Sequence, residues 1–110
     1  MSYSVKKTTI TLTRGDTFHA NIIMHDSEGN PYYPEEGETI RFAMKKEYSD
    51  PEPLLVINVP FDTMELIINP ADTKDLDFGN YVWDMQITRL NGDIDTFITK
   101  ASLVLTEEVD

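Results

Sequence analysis

The chain contains no cysteine. That removes disulfide frameworks, thiolate zinc sites, iron–sulfur clusters and cysteine nucleophiles together. Positive charge is scarce: 9 Lys and Arg stand against 20 Asp and Glu, a formal net charge of −11 at pH 7. Affinity for phosphate backbones and anionic lipid comes largely from Lys and Arg displacing counterions, so nucleic acid and membrane are poor partners. Long apolar runs are missing as well. The longest, Leu54 to Ile57, is far short of the roughly 20 residues a spanning helix needs, and no apolar segment follows the lysines of Met1–Lys7. No Gly-Xaa-Ser-Xaa-Gly elbow, phosphate loop or His-Glu-Xaa-Xaa-His motif occurs, so catalysis has no visible apparatus. Alanine, the best helix former, appears only four times.

What is present leans to sheet. Ile, Val and Thr supply 28 of the 110 residues, and β-branched side chains suit a pleated surface. A length of 110 residues argues for a single domain spanning 1–110, large enough for one core without staples. Period-two alternation then marks the strands. Ile10 and Leu12 alternate with threonines, and Arg14-Gly15-Asp16 turns the chain into Phe18, Ala20, Ile22 and Met24, predicting a first hairpin. Ile40, Phe42 and Met44 mark a third strand, Leu54 to Val59 a fourth, and Met64, Leu66 and Ile68 a fifth. Asn69-Pro70-Ala71-Asp72 opens a helical turn near residues 70–76, with proline at the first helical position and a carboxylate near its positive end. Tyr81, Trp83, Met85 and Ile87 form a sixth strand, and Asn91-Gly92 predicts a hairpin into the last strand, whose two apolar faces require a bulge.

Seven strands with turns every 8 to 12 residues predict an all-β, antiparallel sandwich of the immunoglobulin or fibronectin-III type. Leu76 to Tyr81 fits a tyrosine corner, in which Tyr81, following Gly79, bonds back to upstream backbone. Gly79, Tyr81 and Trp83 are therefore the structural markers, although antibody-type domains carry their Trp on the third strand and this chain carries it on the sixth.

Candidate chemistry is thin. His19 and His25 share a strand face, but six residues at about 3.3 Å each hold them roughly 20 Å apart, too far for one ion. Asp93 and Asp95 resemble a fragment of a calcium loop without its closing Glu. Glu35, Glu36 and Glu38 read as a solvated acidic loop rather than an acid and base pair. Arg14-Gly15-Asp16 matches the integrin-binding tripeptide, and Glu107 to Asp110 resembles a chaperone tail read by carboxylate clamps. Turn chemistry and an acidic terminus explain both. Tyr32 and Tyr33, framed by Pro31 and Pro34, are the candidate partner contacts, with Tyr48 as a third. Loop tyrosines suit either a protein surface or a sugar ring, and packing beneath the loop is the other role open to them.

Arg14-Gly15-Asp16-Thr17-Phe18, the Asp26 to Pro31 turn, Ile40 to Lys45, Pro70 to Leu76 and Gly79 to Gln86 together resemble the N-terminal domain of upper baseplate proteins, and related short proteins, of tailed phages and prophages of Gram-positive bacteria. The resemblance runs from about Thr9 to Leu105. It implies a non-enzymatic virion part without cofactor, assembled in the host cytoplasm, that binds tail or baseplate proteins and associates with copies of itself. The contrasting expectation is a carbohydrate-binding sandwich with Tyr32, Tyr33 and Tyr48 as stacking platforms.

Overall fold

The computed structural model describes residues 9–26 and 28–107. Along them run β1 (Ile10–Thr13), β2 (Phe18–Asn21), β3 (Met24–His25), β4 (Pro31–Tyr32), β5 (Thr39–Lys45), β6 (Leu55–Val59), β7 (Glu65–Ile68), a four-residue helix α1 (Pro70–Thr73), β8 (Gly79–Thr88) and β9 (Ile94–Thr106). The chain is an all-β fold. Its curled main sheet has the order β1-β9-β8-β5-β6, and β2–β7 and β3–β4 form two further ladders.

Alternation does what the sequence predicts in the centre of that sheet. On β5, Ile40, Phe42 and Met44 are buried, and their antiparallel partners on β8 are Ile87, Met85 and Trp83. Phe42 and Trp83 pack with ring centroids 5.3 Å apart, and the Trp83 indole N–H donates to the Ser102 carbonyl at 3.0 Å. Leu66 and Ile68 of β7 join the same core, each such burial contributing about 1.5–3 kcal/mol.

Three expectations need correction. First, β1 and β2 are not a hairpin. β1 pairs in parallel with β9, Ile10 opposite Leu103, while β2 pairs antiparallel with β7. The connecting turn is bound from outside: Arg14 N–H donates to the Thr106 carbonyl and Gly15 N–H to the buried Thr73 hydroxyl of α1, at 3.0 Å each. These bonds carry the chain round a corner from one sheet to the other, so the sheet is not wholly antiparallel. Second, the second strand is split at Ile22-Ile23, and Pro31–Tyr32 adds a short strand. The described residues thus hold nine strands rather than seven. Third, β9 departs from regular pairing twice. Two residues, Thr99 and Lys100, stand against Asp84, and Phe97 is extra between Ile98 and Thr96. Lys100 takes φ 54° at the first irregularity. The shift brings Ile98 onto the inner face with Ala101, Leu103 and Leu105, and leaves Ile94 exposed.

The Asn91-Gly92 turn joins β8 to β9, with Arg89 N–H donating to the Asp93 carbonyl at 2.7 Å. At α1, Asp72 reaches back to accept the Asn69 N–H at 2.8 Å. At the start of β8, Gly79 adopts φ 131°, a region that residues with a side chain rarely enter. Two residues on, the buried Tyr81 donates its hydroxyl to the Asp77 carbonyl at 2.5 Å.

Candidate functional site

Residues 22–26 and 28–33, a first segment, and residues 60–64, a second, meet at the β5 N-terminal end of the sheet. Asp26 organises the first segment: its carboxylate accepts the N–H groups of Glu28 and Asn30, and its N–H donates to the Asn30 carbonyl. Gly29 at φ 87° completes the turn. The chain therefore doubles back and sets Met24 opposite Tyr32 across the β3–β4 ladder.

Tyr32 is fixed by a polar cluster. Its hydroxyl donates to both carboxylate oxygens of Glu38, at 2.8 and 3.0 Å, and the Glu35 N–H donates to one of them at 2.8 Å. Glu38 is only 6% exposed. The expectation of a solvated acidic loop thus fails at this residue. The reason was legible, since Glu38 has the parity of Ile40, Phe42 and Met44 and so falls on the inner face. The Arg89 guanidinium lies 4.6 Å over the Tyr32 ring and pairs with Asp95 at 3.0 Å. Burial first, then the hydrogen bond to Glu38, pushes the Tyr32 phenol above its usual range.

The second segment closes the site. Met64 N–H donates to the Pro60 carbonyl at 2.8 Å and the Met64 carbonyl accepts the Ile22 N–H at 2.7 Å. Between these bonds Met64 is held at φ 53°, the left-handed region that unbranched residues enter at a cost of about 1–2 kcal/mol.

The two segments enclose an open cavity of about 340 Å³. Buried Ile22 and Met24 line it together with Met64 and Tyr32, while Ile23, Tyr33, Asp62 and Thr63 are exposed or partly exposed around it. Tyr33 is 80% exposed.

The structure brings together Tyr32 and Tyr33 but not Tyr48. Tyr48 sits in the turn after β5, half exposed, and does not line the cavity. Glu38 precedes β5 and Tyr48 follows it, so about seven residues at about 3.3 Å each put roughly 20 Å between them. Burial and then the nearby Asp84 carboxylate raise the Tyr48 phenol.

Of the other candidates, His19 and His25 are both exposed, and His19 lies 3.3 Å from Glu65. Asp93 accepts from the Asn91 amide. Among the described residues no group of three or more His, Asp or Glu is placed to hold a metal. The Arg14 tripeptide is part of the fold: its guanidinium donates to the Leu76 carbonyl at 3.2 Å and lies 4.2 Å over the Phe78 ring. Residues 108–110 of the acidic tail lie outside the described residues.

Sequence reasoning missed Ile22, Met24, Asp62 and Met64 as cavity residues. The signal was the run Ile22-Ile23-Met24, which breaks alternation at the point where β2 stops. No family model, curated protein or solved structure matches the chain.

Proposed function

We propose that this chain is a non-enzymatic structural module of a phage or prophage particle, an immunoglobulin-like sandwich that binds tail or baseplate proteins through its Tyr32–Tyr33 end. One observation carries the reading: an apolar cavity opens beside a tyrosine that is almost fully exposed, at a point where the backbone is held in a strained conformation. Strain and exposed aromatic surface recur where proteins grip ligands or partners. The sequence resemblance supplies the class of partner. The sandwich architecture draws support from the single core shared by the five-stranded sheet and β7, and from the bond between Tyr81 and Asp77.

The exposure of Tyr33 favours one second reading, a carbohydrate-binding module that stacks a sugar on that ring. Against it, Arg89 covers the Tyr32 ring and Tyr48 lies at the other end of the sheet. The test is a binding screen of the purified chain against the tail and baseplate proteins of the phage or prophage that encodes it, run in parallel with a glycan array. The expected result is a stable complex with one of those proteins, weakened at least ten-fold by Tyr33→Ala. A glycan that binds specifically and is lost with Tyr33→Ala, with no protein complex, overturns the proposal.

A further inference from the structure

The chemistry of the cavity narrows the kind of partner, on the reading that this end binds proteins. Its volume of about 340 Å³ lies at the low end of the roughly 300–1,000 Å³ typical of ligand pockets, which suits one bulky side chain rather than a folded surface. Ile22, Met24 and Met64 supply an apolar lining, and two of the three are methionines, whose unbranched side chains adapt to irregular shapes. The charged lining residue is Asp62, which is exposed. Charge of one sign fills the segment that supplies Pro31, Tyr32 and Tyr33 to the lining. The segment 26–38 carries Asp26, Glu28, Glu35, Glu36 and Glu38 and no Lys or Arg. Arg89, which touches the cavity residue Tyr32, is already paired with Asp95. The net charge of −11 adds to the same field.

We infer that the cavity takes a large apolar side chain from an extended partner segment that carries Lys or Arg next to it. The side chain fills the space between Met24 and Met64. The flanking cation meets Asp62 and the exposed face of Tyr33, an arrangement that draws on both ionic and cation–π attraction. Acidic segments are repelled from the same mouth, so charge sets specificity while the apolar contact holds the complex.

The experiment titrates protein labelled at Ile and Met methyl groups with three blocked peptides: Gly-Lys-Trp-Lys-Gly, Gly-Glu-Trp-Glu-Gly and Gly-Lys-Ala-Lys-Gly. The expected result is that the Lys-Trp-Lys peptide moves the methyl signals of Ile22, Met24 and Met64 and binds about ten-fold tighter than the Glu-Trp-Glu peptide. The Lys-Ala-Lys peptide leaves those signals in place. Asp62→Asn keeps an oxygen for the Thr63 N–H, which now donates to Asp62 Oδ1 at 2.9 Å, and so removes charge without unmaking the turn. It weakens the Lys-Trp-Lys peptide about three-fold, and added salt erases that difference. Equal binding of the Lys and Glu peptides at the cavity overturns the charge inference and leaves the protein-binding reading standing. Absence of any cavity shift with the Lys-Trp-Lys peptide at about 5 mM overturns the inference, and a glycan that moves the same signals in that case overturns the protein-binding reading too.

Discussion

At the Gly79 end of the main sheet, Tyr81 is buried and its hydroxyl donates to the Asp77 carbonyl, while the Lys46 ammonium lies 4.7 Å over its ring. At the Thr88 end, Tyr32 is held by Glu38 and Arg89, and its neighbour Tyr33 projects into solvent beside a cavity. The same residue type closes the fold at one end and leaves it open at the other. The difference lies in what each hydroxyl meets. A backbone carbonyl four residues upstream, in the connection before β8, holds Tyr81, whereas a buried carboxylate six residues downstream holds Tyr32, and the residue after Tyr32 stays in solvent.

The comparison predicts unequal costs. Trp83→Ala removes the largest fully buried side chain, which packs on Phe42 and is tied to Ser102. Denaturant unfolding should show a loss of about 3–5 kcal/mol. A loss near 1 kcal/mol would mean that the core beside Tyr81 is loosely packed and that the two ends do not differ in rigidity.

Tyr81→Phe comes next, at about 1–2 kcal/mol, because it deletes one hydrogen bond and keeps the ring. Its effect should also depend on pH. Burial, and then the Asp77 carboxylate, raises the Tyr81 phenol above its ordinary 10.0. The folded state therefore holds this proton more tightly than the unfolded chain. That contribution is fully present below pH 10.0 and is lost as pH rises through the elevated folded value. Alkaline unfolding monitored by circular dichroism should be steeper for the natural chain than for Tyr81→Phe. Identical slopes would remove Tyr81 as the source.

Glu38→Gln probes the opposite end. It leaves one acceptor oxygen where two now receive the Tyr32 hydroxyl and the Glu35 N–H. A cost of about 1 kcal/mol is expected, with weaker peptide binding at the cavity because Tyr32 is no longer held in one orientation. Unchanged binding would show that the cavity does not depend on the cluster behind it.

These contrasts also explain what could be read from residues alone. Alternation on β5 and β8 has a buried partner at every second position, so local pattern and tertiary packing agree there. The β1–β2 turn reads as a hairpin because its residues suit one, yet its N–H groups are satisfied by Thr73 and Thr106, 58 and 92 positions away in sequence. No local pattern encodes such contacts. Tyr32 and Tyr33 were visible as proline-framed aromatics, but the cavity is not a property of their segment. Part of it comes from Asp62, Thr63 and Met64, and the left-handed backbone of Met64 depends on bonds to Pro60 and Ile22.

Tyr33→Ala should have the smallest effect on stability and the largest on binding. At 80% exposure the ring buries little apolar surface, so its removal costs less than about 0.5 kcal/mol in denaturant unfolding. A residue that contributes so little to the fold is free to serve a contact, and the same variant should weaken the Lys-Trp-Lys peptide several-fold by deleting the ring that meets the cation. If Tyr33→Ala instead destabilised the chain by 2 kcal/mol or more, as about 2 kcal/mol is characteristic of lost packing, Tyr33 would be a core residue in solution. The open end would then be as closed as the Tyr81 end, and the distinction between them would fall.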